Sequence, residues 1–334
     1  MGDASILRAV VCFFSSGVAM DRRSFLWGLA GAGVLLYGAP LARALDRTRA
    51  LRRADVSALG VTLHLGLDAA PFPCDGAPYT DDTVVVFVPA GWRPGPGDSV
   101  DLLVHFHGRN GRVDGVLEGM RVREQLAASR RNAWLVLPQG PVNAPDNRIG
   151  KLERPGGLAR LVAEVIERVC SGEAADALGS LAPDGLLGPG RVLLSAHSGG
   201  YRAAAWGLTR GQVEVSEVFL FDALYGERRT FREWLTAAPG VAAASRRRLV
   251  SVYTAWGGTR DENHGLQADL ERLGLAVRHD VMAGPLSRDE RARATALFLQ
   301  SSAGHGDAVW RDDALFTCLA SSGLAAVDGA GDWS

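Results

Sequence analysis

The chain has 334 residues, 47% of them apolar, enough for a buried core in one large domain or two small ones. Charged residues make up 22% and nearly cancel to a net charge of −1, so no basic excess points to nucleic acid and no acidic tail points to a cationic partner. The four cysteines, Cys12, Cys74, Cys170 and Cys318, form no CxxC pair, which argues against a zinc site.

In chain order, residues 21–29 read Asp-Arg-Arg-Ser-Phe-Leu-Trp-Gly-Leu. An apolar run from Phe25 to Ala39 follows, short and Gly-rich for a membrane span, and then Ala42-Arg43-Ala44, of small-x-small form. This order resembles a bacterial twin-arginine export signal. The resemblance implies cleavage after Ala44 and a periplasmic or secreted protein; an uncleaved membrane anchor is the alternative. If Met20 is the true start, residues 1–19 precede the signal. Without residues 1–44, three cysteines remain. They are compatible with one disulfide, Cys74–Cys318, or with three free thiols.

Residues 45–83 form an N-terminal extension of weak pattern, marked as loop by Pro71, Pro73, Gly76 and Pro78. Beyond it, residues 84–334 alternate between apolar, β-branched strands and helical stretches. Strands are predicted at 83–89, 100–107, 133–137, 191–196, 215–221, 249–255 and 275–282. Helices are predicted at 113–129, 158–170, 203–209, 231–237, 266–273, 289–300 and 309–319, with long loops at 140–157 and 171–190. Arg246–Arg248 read as solvated surface. Continuous apolar strands between helices predict an α/β fold, a mostly parallel sheet flanked by helices on both faces. Ligands in such sheets bind outside the carboxyl ends of the strands.

One strand end stands out: Arg191-Val-Leu-Leu-Ser-Ala-His-Ser-Gly-Gly-Tyr201. An apolar strand stops at Ala196, and His197, Ser198 and two glycines lead into a helix. A turn this tight needs small residues two before and two after the serine, and Ala196 and Gly200 supply them. A plain strand–turn–helix with a serine N-cap has the same composition. Upstream, Val100-Asp-Leu-Leu-Val-His-Phe-His-Gly-Arg-Asn-Gly111 is a second strand ending in His-Gly.

The first segment resembles the G-x-S-x-G nucleophile elbow of the α/β-hydrolases, with Ala196 for the first glycine, and the second resembles their oxyanion loop. The resemblance covers roughly residues 84–320. It implies Ser198 as nucleophile of an exported serine hydrolase, cleaving an ester or, less readily, an amide. The N–H groups of Gly199 and Arg109 would form the oxyanion hole. His107, Gly108, His197 and Tyr201 flank these turns and would meet substrate. The family places its histidine after the last strand, which points to His305 in Ala303-Gly-His-Gly-Asp307, with His264 as competitor. His64 precedes the predicted sheet, and His279 reads as a structural imidazole within a strand. The acid is assigned to Asp222, which ends an apolar strand, with Asp261 as the alternative. The family favours the later position for its acid, whereas an aspartate emerging straight from the sheet favours Asp222. Lys151, Arg148 and Asp146 in the 140–157 loop could read a polar substrate or belong to plain surface.

His105 and His107 invite a metal reading, but the third ligand and the Asp-His pair that usually follow are absent. No cofactor or metal is implied. The expected partner is a small ester or amide, with no nucleic acid and no membrane partner beyond the export machinery. An inactive hydrolase-fold binding protein is the alternative from another class, and a metal-dependent hydrolase the third.

Overall fold

The computed structural model describes residues 50–237, 247–256 and 258–327. The expected export segment, the expected cleavage site after Ala44, and Cys12 lie outside them. Among the described residues no helix is long and apolar enough to cross a membrane.

Strands β1 (Leu51–Ser57), β2 (Gly60–Gly66), β3 (Thr83–Pro89), β4 (Ser99–Phe106), β5 (Ala133–Pro138), β6 (Gly188–His197), β7 (Val215–Phe221), β8 (Arg248–Thr254), β9 (Val277–Val281) and β10 (Ala296–Ser301) join one sheet. Their spatial order is β1-β2-β3-β5-β4-β6-β7-β8-β10-β9. The pairs β1/β2, β2/β3 and β3/β5 are antiparallel, and every later pair is parallel. The helices are α1 (Val113–Gly119), α2 (Val122–Ser129), α3 (Gly157–Val169), α4 (Gly172–Leu178), α5 (Tyr201–Arg210), α6 (Arg228–Thr236), α7 (Arg260–Arg272), α8 (Arg288–Arg293) and α9 (Ala314–Ala320).

The central strands alternate their side chains between two apolar cores, and this is why they read as continuous apolar runs. On one face Val104, Leu194, Leu220 and Phe298 meet α3, α5, α6 and α7; Leu158, Leu161, Val162, Val165 and Val169 of α3 form its inward stripe. On the other, Leu103, Leu193, Phe219 and Leu297 meet α1, α2 and α9 through Val116, Leu126 and Leu315. The architecture is that of the α/β-hydrolases: a mostly parallel sheet covered on both faces.

Several expectations are corrected. The extension contains β1 and β2, which pair with β3, so His64 lies on a strand, next to Arg53 at 2.6 Å. Val61, Leu63 and Leu65 alternate with polar or glycine positions there, a strand period that the surrounding prolines and glycines mask. The predicted helix 113–129 breaks into α1 and α2 at Arg121, which is left-handed at φ 51°. The 171–190 loop holds α4 and the start of β6.

The helix predicted at 289–300 is α8 followed by strand β10. A capping box between Ser287 and Glu290 starts the helix. Ala296-Leu-Phe-Leu is too short for periodicity to separate strand from helix, and pairing between β8 and β9 decides it. Arg248 is not surface: it is 4% exposed, and its guanidinium donates to Glu217 at 2.8 Å and to Ser321 Oγ at 3.0 Å. His279 is exposed on edge strand β9 and fills no structural pocket. Cys74, Cys170 and Cys318 are all free; Cys318 packs beside Leu315 and Leu319, and burial pushes its thiol up to about 12.

Candidate active site

The carboxyl ends of β4, β6, β7, β8 and β10 converge on Ser198. β6 ends at His197, Ser198 to Gly200 make a 3₁₀ turn, and α5 begins at Tyr201. Ser198 has φ 51°, the left-handed region that costs an L-residue free energy and is held only when its surroundings over-determine it. The constraint is crowding. A Cβ at Gly200 would lie 2.4 Å from the Phe106 carbonyl oxygen. A Cβ at Gly108 would lie 2.7 Å from Ser198 Cβ, and one at Gly199 would lie 2.5 Å from Asn147 Oδ1. The glycines let the β4 loop and the elbow touch, which brings Arg109 beside Gly199. The Arg109 N–H makes no hydrogen bond among the described residues.

On the other side, the connection after β10 carries His305. Its Nε2 is 2.8 Å from Ser198 Oγ, and its Nδ1 is 2.6 Å from Asp222 Oδ2. With Asp222 as acceptor, Nδ1 holds the proton and Nε2 is free to accept from the serine hydroxyl. Asp222 directly follows β7, is wholly buried, and has φ 43°. Thr254 N–H donates to Oδ1 at 3.2 Å, Thr254 Oγ1 donates to Oδ2 at 3.1 Å, and the Thr259 hydroxyl also donates to Oδ1. Burial by itself would raise this carboxyl. The hydrogen bonds from His305, Thr259 and the Thr254 N–H outweigh it and hold Asp222 below the ordinary carboxylate range. Asp261 is exposed in the first turn of α7 and makes no bond to His305; His264, also exposed on α7, lies 3.4 Å from Tyr253 Oη.

His197 has no free face for a substrate. It is 6% exposed, its Nε2–H donates to the His305 carbonyl at 2.9 Å, and the two rings lie 4.9 Å apart at 32°. It clamps the connection that carries His305, whose neighbours Gly304 and Gly306 offer no side chain to anchor it. His107 is likewise engaged: Nδ1–H donates to the Gly108 carbonyl at 2.7 Å, and Nε2 accepts from the Gly140 N–H at 2.8 Å and the Gln139 amide at 2.8 Å. These bonds shape the loop after β4. His105 shares a 2.8 Å bond with Ser195 Oγ. Burial drives His105 down to about 3 and His197 down to about 4, so both are neutral at physiological pH.

A narrow cleft opens beside the elbow, lined by Gly108, Gly199 and Gly200 and by apolar Phe106, Ile149, Leu152 and Ala203. It is half open, with about 30 Å³ of room beside the elbow and about 400 Å³ of space counted out to its mouth. The 140–157 loop forms its outer wall, but the loop's charged residues are largely spent on its own fastening. Lys151 Nζ donates to the Asp68 carbonyl at 2.6 Å, and Arg148 donates to Asp146 at 2.7 Å and to the Gly76 carbonyl at 2.8 Å. Asn147 reaches over Gly199 and accepts from Arg109 Nε at 3.0 Å. Among the described residues the surface on the His305 side is open. Tyr225 is 40% exposed with its hydroxyl 3.3 Å from His305 Nδ1, Tyr201 is half-buried 6.3 Å from it ring to ring, and Trp256 is 98% exposed just past β8.

Sequence reasoning missed Thr254, Thr259, Gln139, Asn147 and Tyr225. Each acts through a partner more than 25 residues away, so no local pattern marks it.

No family model matches the sequence, and no curated protein matches it. Solved structures with a similar fold include a fluorophosphonate-binding serine hydrolase of Staphylococcus aureus in a substrate-bound form, at 12% identity and TM-score 0.42, covering 77% of this chain and 95% of that one. The feruloyl esterase module from Clostridium thermocellum, a mutant complexed with sinapinate, matches at 10% identity and TM-score 0.45, covering 82% and 88%. A siderophore hydrolase from Aspergillus nidulans matches at 13% identity and TM-score 0.42, covering 72% and 89%. Likeness at this level concerns overall architecture and carries nothing about substrate; the chemistry of this chain rests on its own residues.

Proposed function

We propose that this protein is a serine hydrolase that cleaves an ester, less readily an amide, through an acyl-enzyme on Ser198. The observation that carries this reading is the continuous relay Ser198 Oγ to His305 Nε2 at 2.8 Å and His305 Nδ1 to Asp222 Oδ2 at 2.6 Å, on a serine held in a strained turn. Ser198 Oγ attacks the ester carbonyl carbon while its proton passes to His305 Nε2. The carbonyl oxygen becomes an oxyanion, met by the N–H groups of Gly199 and Arg109. Collapse breaks the bond to the leaving oxygen, which departs with the proton from Nε2. Water, deprotonated by the same nitrogen, then releases the acid and restores Ser198. Asp222 stabilises the imidazolium and stays ionised.

A fluorophosphonate with a methyl group on phosphorus and its reporter on the alkoxy arm tests the reading. Ser198 should be labelled with loss of fluoride, and Ser198→Ala should not be. If intact protein at neutral pH takes no label on any serine and hydrolyses no activated ester, the proposal is wrong. Export by the twin-arginine route is part of the same proposal, supported by the order of Arg22-Arg23, apolar run and Ala42-Arg43-Ala44. N-terminal sequencing of the periplasmic fraction should find chains starting at Leu45; recovery of only uncleaved chains would contradict it.

A further inference from the structure

We infer that the substrate's acyl group is short, acetyl- to propionyl-sized, and that the bulk of the substrate lies on the leaving-group side. The inference rests on the reading of Ser198 as an acylating nucleophile. The leaving oxygen must take its proton from His305 Nε2, so the leaving group lies toward His305. The oxyanion lies toward Gly199 and Arg109. The acyl substituent takes the remaining direction, into the cleft between the elbow and the 140–157 loop.

That cleft is narrow and half open, with about 30 Å³ of room beside the elbow. So small a space suits a methyl or ethyl substituent better than a longer chain. Phe106, Ile149, Leu152 and Ala203 offer a methyl or ethyl group apolar contact, while Asp146, Asn147 and Arg148 also line the cleft. The outer wall is also fastened. Lys151 N–H donates to the Pro71 carbonyl at 2.8 Å, Lys151 Nζ to Asp68 and Arg148 to Gly76 as above, and the Tyr79 hydroxyl donates to Asp146 at 3.0 Å. Gly150, at φ 56°, sits so close to this segment that a Cβ there would be 1.9 Å from the Pro71 carbonyl oxygen. A longer acyl chain therefore meets a wall tied to its neighbour at several points. Among the described residues the His305 side has no such wall: Tyr225 and Trp256 stand exposed there and can cover a large alcohol portion.

The 4-nitrophenyl esters of acetate, propionate, butyrate and hexanoate test this with the leaving group held constant. One misfitting methylene in an apolar pocket is worth about 10–200-fold in kcat/KM. Acetate should exceed hexanoate by about 100-fold or more in the wild-type protein. Leu152→Ala and, separately, Ile149→Ala enlarge the cleft and should each lower the acetate-to-hexanoate ratio by about 10-fold or more. If both variants fail to fold, as judged by circular dichroism, the wild-type series still decides. Hexanoate cleaved within about 3-fold of acetate, or folded variants that keep the wild-type ratio, overturn the inference. Ser198 labelled by the methyl fluorophosphonate without acetate preference overturns this inference alone. No label and no hydrolysis of any ester brings down the hydrolase reading and this inference with it.

Discussion

On the β4–β6 side of Ser198, position is set by backbone crowding, whereas on the β7–β10 side it is set by side-chain hydrogen bonds. The elbow and the His-Gly loop interlock because Gly108, Gly199 and Gly200 leave no room for a Cβ, and Ser198 has nowhere else to sit. His305 instead depends on an Asp222 carboxylate, a His197 ring and two threonines that fix the carboxylate. Crowding holds an atom against every displacement but tolerates no added volume. A hydrogen-bonded relay tolerates small shifts and fails when one partner is lost. The first half should therefore break through stability and the second through rate.

The largest effect is expected from Asp222→Asn, which keeps the shape but favours the wrong imidazole tautomer. It should lower kcat by about 10,000-fold with little change in the melting curve. A loss under about 10-fold would mean that the relay does not run through Asp222. Gly200→Ala should act in the opposite way, forcing the Phe106 carbonyl aside and costing about 1–3 kcal/mol in urea unfolding. A variant as stable as wild type would show that the elbow has slack.

His197→Leu removes the donor to the His305 carbonyl and should lower kcat by about 10- to 100-fold while KM changes little. His197→Gln, which can still donate there, should recover most of it. Equal losses in the two variants would place His197 in packing alone.

The remaining effect is one of pH. His105 and His197 are held neutral down to about 3 and about 4, while an unfolded histidine titrates near 6.5. Between those limits the unfolded chain binds more protons than the folded one, so stability is full above about pH 6.5 and falls as the solution is acidified. Each group contributes at most about 1.4 kcal/mol per pH unit. Urea midpoints at pH 7 and pH 5 should differ, and His105→Gln should shrink that difference. An unchanged slope would assign acid sensitivity elsewhere.

Much of the β4–β6 side was legible because its determinants are contiguous. Small residues around Ser198 and a strand ending in His-Gly are local facts about backbone space. The β7–β10 side was legible only in outline. Asp222 could be suspected because it ends the apolar run of β7, but Asp261 follows the next strand, where the α/β-hydrolases more often carry their acid, and only the distance to His305 separates them. His197 looked like a substrate contact because it adjoins Ser198, yet its ring turns inward to the base. β10 was hidden within a run read as helix, and β1 and β2 within a run read as loop, since an edge strand such as Leu51-Arg-Arg-Ala-Asp-Val-Ser57 carries charge and little apolar pattern.

By itself the sequence determined the class of sheet, the turn at Ser198 and the small set of residues able to serve it, because periodicity and side-chain size act over a few neighbouring residues. The tertiary structure alone decided which aspartate meets His305, what His197 holds, and how little room the cleft beside Ser198 offers. Those are distances between segments far apart in the chain, fixed by strand order and loop fastening, and no local pattern encodes them.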